Sequence, residues 1–396
     1  MNSQVCTDKL AHLGKKSTVM DRGLASRYKV FQAEVVAFLE QRERYPANAE
    51  LWQDPDWLAD LAERGWQAPS WPRSFGGSGF DATEKFIWYQ SCRAAINGYQ
   101  EPPALAWVGP MIAQHGSDQD RARYLPAILD GTMQFCTALN NSELPQIQCE
   151  NGRWYVDGRT SWVEHVDAAG HLFGLAGENK TDLHLFSLNL DRVTIEKTNL
   201  LSGSEAWHIK FDHTLLGDDD FRVSVLAQEI ETLPATVLGR SGVVAAQFEA
   251  LERGLAAMSP EADIGSPDSD IGSPNEDIGR RKIEAAVEQR GLQALELRYV
   301  DALQRHETPP FPIELLAVKA FELERVMGTL LMDSFGYYAL PYPDMWLQHN
   351  EGRVGPQGAR EATGSWLEIT QLEKFASAGQ DLYGKLAQEI QERGEH

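Results

Sequence analysis

The sequence predicts an α+β protein in three successive parts. These are an N-terminal helical domain over 1–134, a middle antiparallel β domain over 135–225 and a C-terminal four-helix bundle over 226–396. Three observations predict this order. Apolar residues recur at helical spacing through the first third, the period falls to two between about Cys136 and Asp220, and long amphipathic stretches return after Pro234.

In the first part, "YKVFQAEVVAFLEQ" places Phe31, Val35, Phe38 and Leu39 on one helical face. "DPDWLADLAERGW" is punctuated as a helix: Asp54 caps it, Pro55 suits its first turn, Trp57, Leu58, Leu61 and Ala62 form its stripe, and Gly65 ends it. "GPMIAQHGSDQDRARYLPAILDG" reads as two helices broken at Gly-Ser-Asp, with Ser117 or Asp118 capping the second and Pro126 near its end. In the middle part, "RWYVDG", "DLHLFSLNL" and "AWHIKFDH" alternate as strands, with Trp207, Ile209 and Phe211 facing away from His208, Lys210 and Asp212. Turns such as "ENGR", "GENKTD" and "LLSGSE" follow at short intervals, as a compact antiparallel domain requires. The last part holds "VLGRSGVVAAQFEALERGLAAM", "IEAAVEQRGLQALELRYVDALQRH", "PIELLAVKAFELERVMGTLLMDSFG" with Gly336 as its C-cap, and "TQLEKFASAGQDLYGKLAQEIQER". Between the first two of these, Asp-Ile-Gly recurs every seven residues at Asp263, Asp270 and Asp277. The unit lacks the residue order of a calcium loop, and Pro267 and Pro274 break a helix, so 259–280 is expected to be a flexible acidic linker.

Composition narrows the function classes. The chain carries 58 acidic against 36 basic residues, a formal charge of -22, which repels nucleic acid. It also disfavours an anionic ligand unless basic groups cluster locally. No apolar run reaches the roughly 18 residues of a membrane span, and the first residues lack the apolar core of a secretion signal. The four cysteines, Cys6, Cys92, Cys136 and Cys149, form no CxxC pair. That spacing argues against a metal site or a disulfide scaffold and points to a reducing cytoplasm.

Four motifs in order resemble the acyl-CoA dehydrogenase family: "GWQAPSWPRSFGGSGF" from Gly65, "HGSDQDRARYLPAILDG" from His115, "DGRTSWVEHVDAAGHLFGLA" from Asp157 and "SGSEAWHIKFDH" from Ser202. The resemblance implies the same three-part fold, FAD as cofactor and an acyl-CoA thioester as substrate. A glutamate would remove the α-proton while hydride passes from the β-carbon to the flavin. By this resemblance Leu139, Asn140, Trp162 and Glu164 fall on cofactor-binding positions, with Trp162 packing on the isoalloxazine ring. Read without the family, Trp162 is equally well a core aromatic of the β domain.

The chain departs from the family pattern at several places. Thr160 replaces a lysine, and Glu164 replaces a hydroxyl residue beside the flavin, where a carboxylate opposes the charge of the reduced ring. Asn140 and Asn141 take the Thr-Glu positions, and no Gly-Ser-Asp phosphate cradle follows. The acidic repeat stands where the family places an arginine segment that reaches FAD of a neighbouring subunit. The family's base precedes a Gly-Thr near the C-terminus, where this chain has Ala378, or opens the first bundle helix. Counting back from Gly242 leaves Thr232 or Glu231, so Glu231 is the single candidate base; it also reads as an ordinary solvated first-turn glutamate.

The expected function is therefore a subunit of a flavin-dependent acyl-CoA dehydrogenase, without a complete active site of its own. It would pair with a related chain in an α2β2 heterotetramer, as in branches of the family acting on steroid side-chain thioesters. Lys319 in the third bundle helix matches that branch. The alternatives are a self-sufficient dehydrogenase using Glu231 and a cofactor-free scaffold of the same fold.

Overall fold

The structure, a computed structural model, describes residues 26–41, 51–52, 54–96, 99, 101–139, 144–163, 166–179, 182–199, 205–226, 237–257 and 274–339, with scattered positions from 359 to 391. The N-terminal part contains helices α1 (Ser26–Glu40), α2 (Pro55–Arg64), α3 (Ala82–Ala95), α4 (Gly109–His115) and α5 (Asp118–Leu129), with a π-turn at Ala104–Val108 before α4. Local chemistry sets their ends. Asp54 accepts from the Trp57 N–H at 2.8 Å, and Gly65 closes α2 in the left-handed region. Asp81 with Glu84, and Ser117 with Asp120, form capping boxes on α3 and α5. Phe38, Trp57, Trp66 and Trp88 pack around one centre, with ring centroids 5.0 Å apart for Phe38–Trp57 and 5.6 Å for Trp66–Trp88.

Among the described residues eight strands follow: β1 (Phe135–Ala138), β2 (Gln146–Glu150), β3 (Arg153–Val163), β4 (His171–Asn179), β5 (Asp182–Asn189), β6 (Thr194–Asn199), β7 (Glu205–Leu216) and β8 (Arg222–Val225). They form two sheets, ordered β1-β4-β5-β8 and β2-β3-β7-β6. The expectation of a wholly antiparallel domain is corrected at one edge, where β1 pairs with β4 in parallel, Phe135 opposite His171. The long connection through β2 and β3 in the other sheet lets the chain return in the same direction.

The alternating pattern of "DLHLFSLNL" also behaves differently from a half-solvated strand. Residues Leu183 to Leu188 are all buried. Leu183 and Leu185 pack with Tyr124, Leu125 and Ile128 of the helical domain, while Phe186 and Leu188 face Ile209 and Phe211 of the opposite sheet. The first sheet is therefore a middle layer, dry on both sides. β7 keeps one wet face, with Trp207, Ile209 and Phe211 buried and Lys210 and Asp212 exposed.

The last part contains α6 (Ser241–Ala257), α7 (Pro274–Gln304) and α8 (Ile313–Phe335). Leu251, Leu292, Tyr299, Leu316, Met327 and Leu330 share one core there with Phe86 and Ile87 of α3. The fourth expected bundle segment lies largely outside the described residues. The expected linker over 259–280 is corrected at its end: α7 starts at Pro274, and Ile278 of the third Asp-Ile-Gly unit is buried. Proline is compatible with a helix's first turn, where its missing N–H has no intrahelical partner to lose. Arg280 and Arg281 then bond Asp277 from the next turn.

Candidate functional site

Two places in this fold bear on the predicted chemistry. The first is the outer face of the β2-β3-β7-β6 sheet. β3 shifts register against β7 between Thr160, opposite Ile209, and Val163, opposite Trp207. The irregularity turns Trp162 outward: its side chain is half exposed, its φ is +63°, and its indole meets His208 edge-on at 5.4 Å. A bulky residue in the left-handed region is unfavourable by about 1–3 kcal/mol, and bulges commonly re-aim a side chain beside a site. The reading of Trp162 as a core aromatic is therefore corrected, since the bulge takes it out of the sandwich. Thr160, by contrast, points inward and is buried.

Trp162 offers a planar apolar surface of the kind an isoalloxazine ring covers, and Arg159 and Lys210 stand opposite one another, both exposed, on the same strand pair. An aromatic face with two cations nearby fits a flavin with an anionic tail. Leu139 is placed otherwise: its side chain is buried between the helical domain and the first sheet, with Phe173 and Leu105 in the same cluster. Asn140 and Glu164 lie outside the described residues, as does Glu231.

The second place is the start of α6, where the resemblance allows a catalytic base. Here the chain is tightly packed. Gly239 has φ +82°, and a Cβ on it would stand 2.7 Å from the backbone N of Gln90; one on Gly242 would stand 2.2 Å from the Gln90 carbonyl oxygen. Only glycine lets α6 approach the α3 backbone this closely. Around the contact lies a buried polar knot. Arg240 donates to both carboxylate oxygens of Glu324, Nε to Oε1 at 2.6 Å, and its guanidinium lies 4.6 Å over Phe321. Glu296 of α7 accepts from the Ser241 hydroxyl and, at 3.4 Å, from the Ser241 N–H, so it caps α6 from outside the helix. Gln90 donates to the Ser241 hydroxyl at 3.1 Å, and Arg93 donates to the Leu238 carbonyl. Burial pushes the Glu296 carboxyl up to about 7, against its bonds from Ser241. Burial and the nearby Arg240 charge pull Arg93 down from its ordinary value.

A third polar group lies inside the helical domain. Tyr89 donates to Glu101 at 2.8 Å and also lies 2.8 Å from the Ser70 hydroxyl. Burial raises Glu101 to about 7, and its second carboxylate oxygen is out of solvent contact and without a hydrogen-bond partner among the described residues. The neighbouring Lys85 is lowered by burial, with Glu101 and Asp81 opposing.

Sequence reasoning missed both buried networks. A signal for one was present: Glu296 and Glu324 sit on apolar stripes, Leu292–Glu296–Tyr299 and Ala320–Glu324–Met327, where a charge is out of pattern. For Glu101, no pattern in the sequence marks its burial.

The order of helical domain, two-sheet β domain and helical bundle, with an outward aromatic on the second sheet, defines a protein with the acyl-CoA dehydrogenase fold. Residues 26–132 match the family "Acyl-CoA dehydrogenase, N-terminal domain". Among curated relatives, acyl-CoA dehydrogenase FadE26 of Mycobacterium tuberculosis is 26% identical over 126 residues, 29% of this chain and 31% of the relative. Acyl-CoA dehydrogenase IpdE1 of Mycolicibacterium smegmatis is 22% identical over 231 residues, 52% of this chain and 56% of the relative. The chain thus matches about a third to a half of the length of these relatives. The solved Tcur3481-Tcur3483 steroid ACAD superposes with a TM-score of 0.70 at 13% identity, covering 92% of this chain and 97% of that one. The ChsE4-ChsE5 complex from Mycobacterium tuberculosis gives 0.67 at 15% identity, covering 92% and 98%. Among the described residues, no helix is long and apolar enough to cross a membrane.

Proposed function

We propose that this chain is a cytoplasmic subunit of a flavin-dependent acyl-CoA dehydrogenase that places an α,β double bond in a CoA thioester of steroid side-chain type. It lacks a complete active site of its own and works with a related chain in an α2β2 assembly. The observation that carries the reading is the closed start of α6. A base there must reach an α-carbon through open space, yet Gly239 and Gly242 touch the α3 backbone. Among the described residues, the carboxylates at this contact are committed, Glu324 to Arg240 and Glu296 to Ser241. A related chain then supplies the base, while this one contributes scaffold and ring contact. When bound, FAD supplies the hydride acceptor; the residues of this chain that would hold it are Trp162 against the ring, with Arg159 and Lys210 near its charged part. The neighbours named as the ChsE4-ChsE5 complex and the Tcur3481-Tcur3483 steroid ACAD support both the pairing and the substrate class.

The test is the visible spectrum of the purified chain, alone and co-expressed with its nearest family-related gene neighbour. A colourless lone chain and a yellow complex are expected. A flavin band from the lone chain that an acyl-CoA bleaches, with the bleaching and not the band lost in Glu231→Gln, would overturn the reading in favour of a self-sufficient enzyme. Colourless protein in both preparations would leave a scaffold without cofactor.

A further inference from the structure

The pairing of β3 with β7 is interrupted twice, and the two interruptions are built alike. Val156 pairs with Thr214 and Gly158 with Phe211, which leaves Asp212 and His213 against Asp157. Thr160 pairs with Ile209 and Val163 with Trp207, which leaves Ser161 and Trp162 against His208. One extra residue at each lies in the left-handed region, His213 at φ +46° and Trp162 at φ +63°. Each interruption also sets an aromatic ring against a histidine. Trp162 meets His208 edge-on, and Tyr155 stacks on His213 with centroids 4.1 Å apart and planes 9° apart. Bulges re-aim side chains, and a non-glycine residue held in this region is costly. Both ring pairs stand on the wet face of the second sheet, where His213 and Leu215 are exposed beside Tyr155. His208 and His213 are about 16 Å apart along β7 at the rise of an extended strand. Arg159 and Lys210 lie opposite one another between the two pairs.

We infer that Tyr155 and His213 seat the adenine ring of the same flavin dinucleotide whose isoalloxazine ring lies on Trp162. The inference rests on the reading of Trp162 given above. Two flat ring systems joined by an anionic linker match two aromatic platforms with two cations between them. Of the acidic residues on this stretch, Asp212 is exposed to solvent. Asp157 is turned to His213, accepting from its N–H at 2.7 Å and lying 3.1 Å from its Nδ1, so it holds the histidine ring in the stack. Glu150 lies 3.8 Å from the other ring nitrogen, Nε2, and is exposed. It offers an acceptor to the exocyclic amine of adenine.

Flavin uptake by the co-expressed complex, stripped of its own flavin, tests this. FMN carries the same ring as FAD and no adenylate, so the two ligands divide the site into its parts. Tyr155→Thr with His213→Asn keeps a strand former and a residue that tolerates the left-handed region. This variant is expected to bind FAD about tenfold more weakly, the loss of one base stacked on an aromatic ring, and FMN unchanged. Trp162→Ala is expected to weaken both. A second measurement needs no variant: AMP is expected to bind the FMN-filled complex at millimolar concentration and not the FAD-filled one. Equal losses of FAD and FMN in the double variant, no loss of either, or AMP binding that ignores which flavin is present would each overturn the inference while leaving the dehydrogenase reading in place. A complex that takes up neither flavin would overturn both.

Discussion

Trp162 and Glu296 show how one residue reports its surroundings. Trp162 combines outward exposure with a left-handed backbone on a strand irregularity, a costly placement. Trp162→Ala in the co-expressed complex is expected to lower the flavin-to-protein ratio severalfold while leaving thermal stability within about 1 kcal/mol, since a half-exposed side chain carries little core packing. An unchanged ratio would remove Trp162 from the ring site. Glu296 is fully buried, and its carboxyl is raised from 4.5 to about 7. The folded state therefore holds its proton more tightly than the unfolded state. Its contribution to stability is full below about pH 4.5 and is lost as pH rises through about 7. Glu296→Gln is expected to reduce the loss of stability between pH 5 and pH 8 by roughly 2 kcal/mol. Urea unfolding at the two pH values checks this, and an unchanged difference would mean that Glu296 is ionised in the fold.

At the scale of elements, the contact between α3 and α6 decides more than either helix does. Gly242 is a poor helix former, yet a Cβ there would stand 2.2 Å from the Gln90 carbonyl oxygen. Gly242→Ala gains about 1 kcal/mol of helix propensity and meets an overpacking cost of about 1–3 kcal/mol. A net loss in urea midpoint is expected; a gain would mean that α6 is free to move away from α3. Arg240 and Glu324 bind α6 to α8 from inside the core. Removing one partner leaves the other charge buried, so Glu324→Gln is expected to destabilise by about 3–5 kcal/mol in the same assay. A loss below about 1 kcal/mol would show that water enters the junction. The same elements explain why sequence reasoning placed the candidate base at Glu231: counting back from Gly242 gives a register, but the described helix opens only at Ser241.

Across the whole molecule, the first β sheet is the organising layer, covered by the helical domain on one side and by the second sheet on the other. The opposite face of the second sheet stays wet, and there Trp162, Arg159 and Lys210 are presented. Any ring bound to Trp162 needs a cover from beyond that sheet. This accords with colour appearing only when the partner chain is present, the spectral outcome expected above. With Glu101 and Glu296 both raised to about 7, the chain as a whole is expected to be more stable near pH 5 than near pH 8 as far as these two groups decide it.

The sequence by itself determined the order of helix, strand and helix, the caps at Asp54 and Ser117, and the stop at Gly65. Periodicity and capping are local, and each is written within a turn or two of chain. Pro274 shows the limit even there, since proline is compatible with the first turn of a helix as well as with a linker. Only the tertiary structure decided that "DLHLFSLNL" is dry on both faces, that Trp162 leaves the sandwich, and that Glu296 and Glu324 lie in the core. Each depends on what lies across from the residue: a helical domain against one sheet face, a slipped register against β7, a serine or arginine from another helix. Spacing along one segment fixes which side chains share a face, while burial and charge state follow from what that face meets.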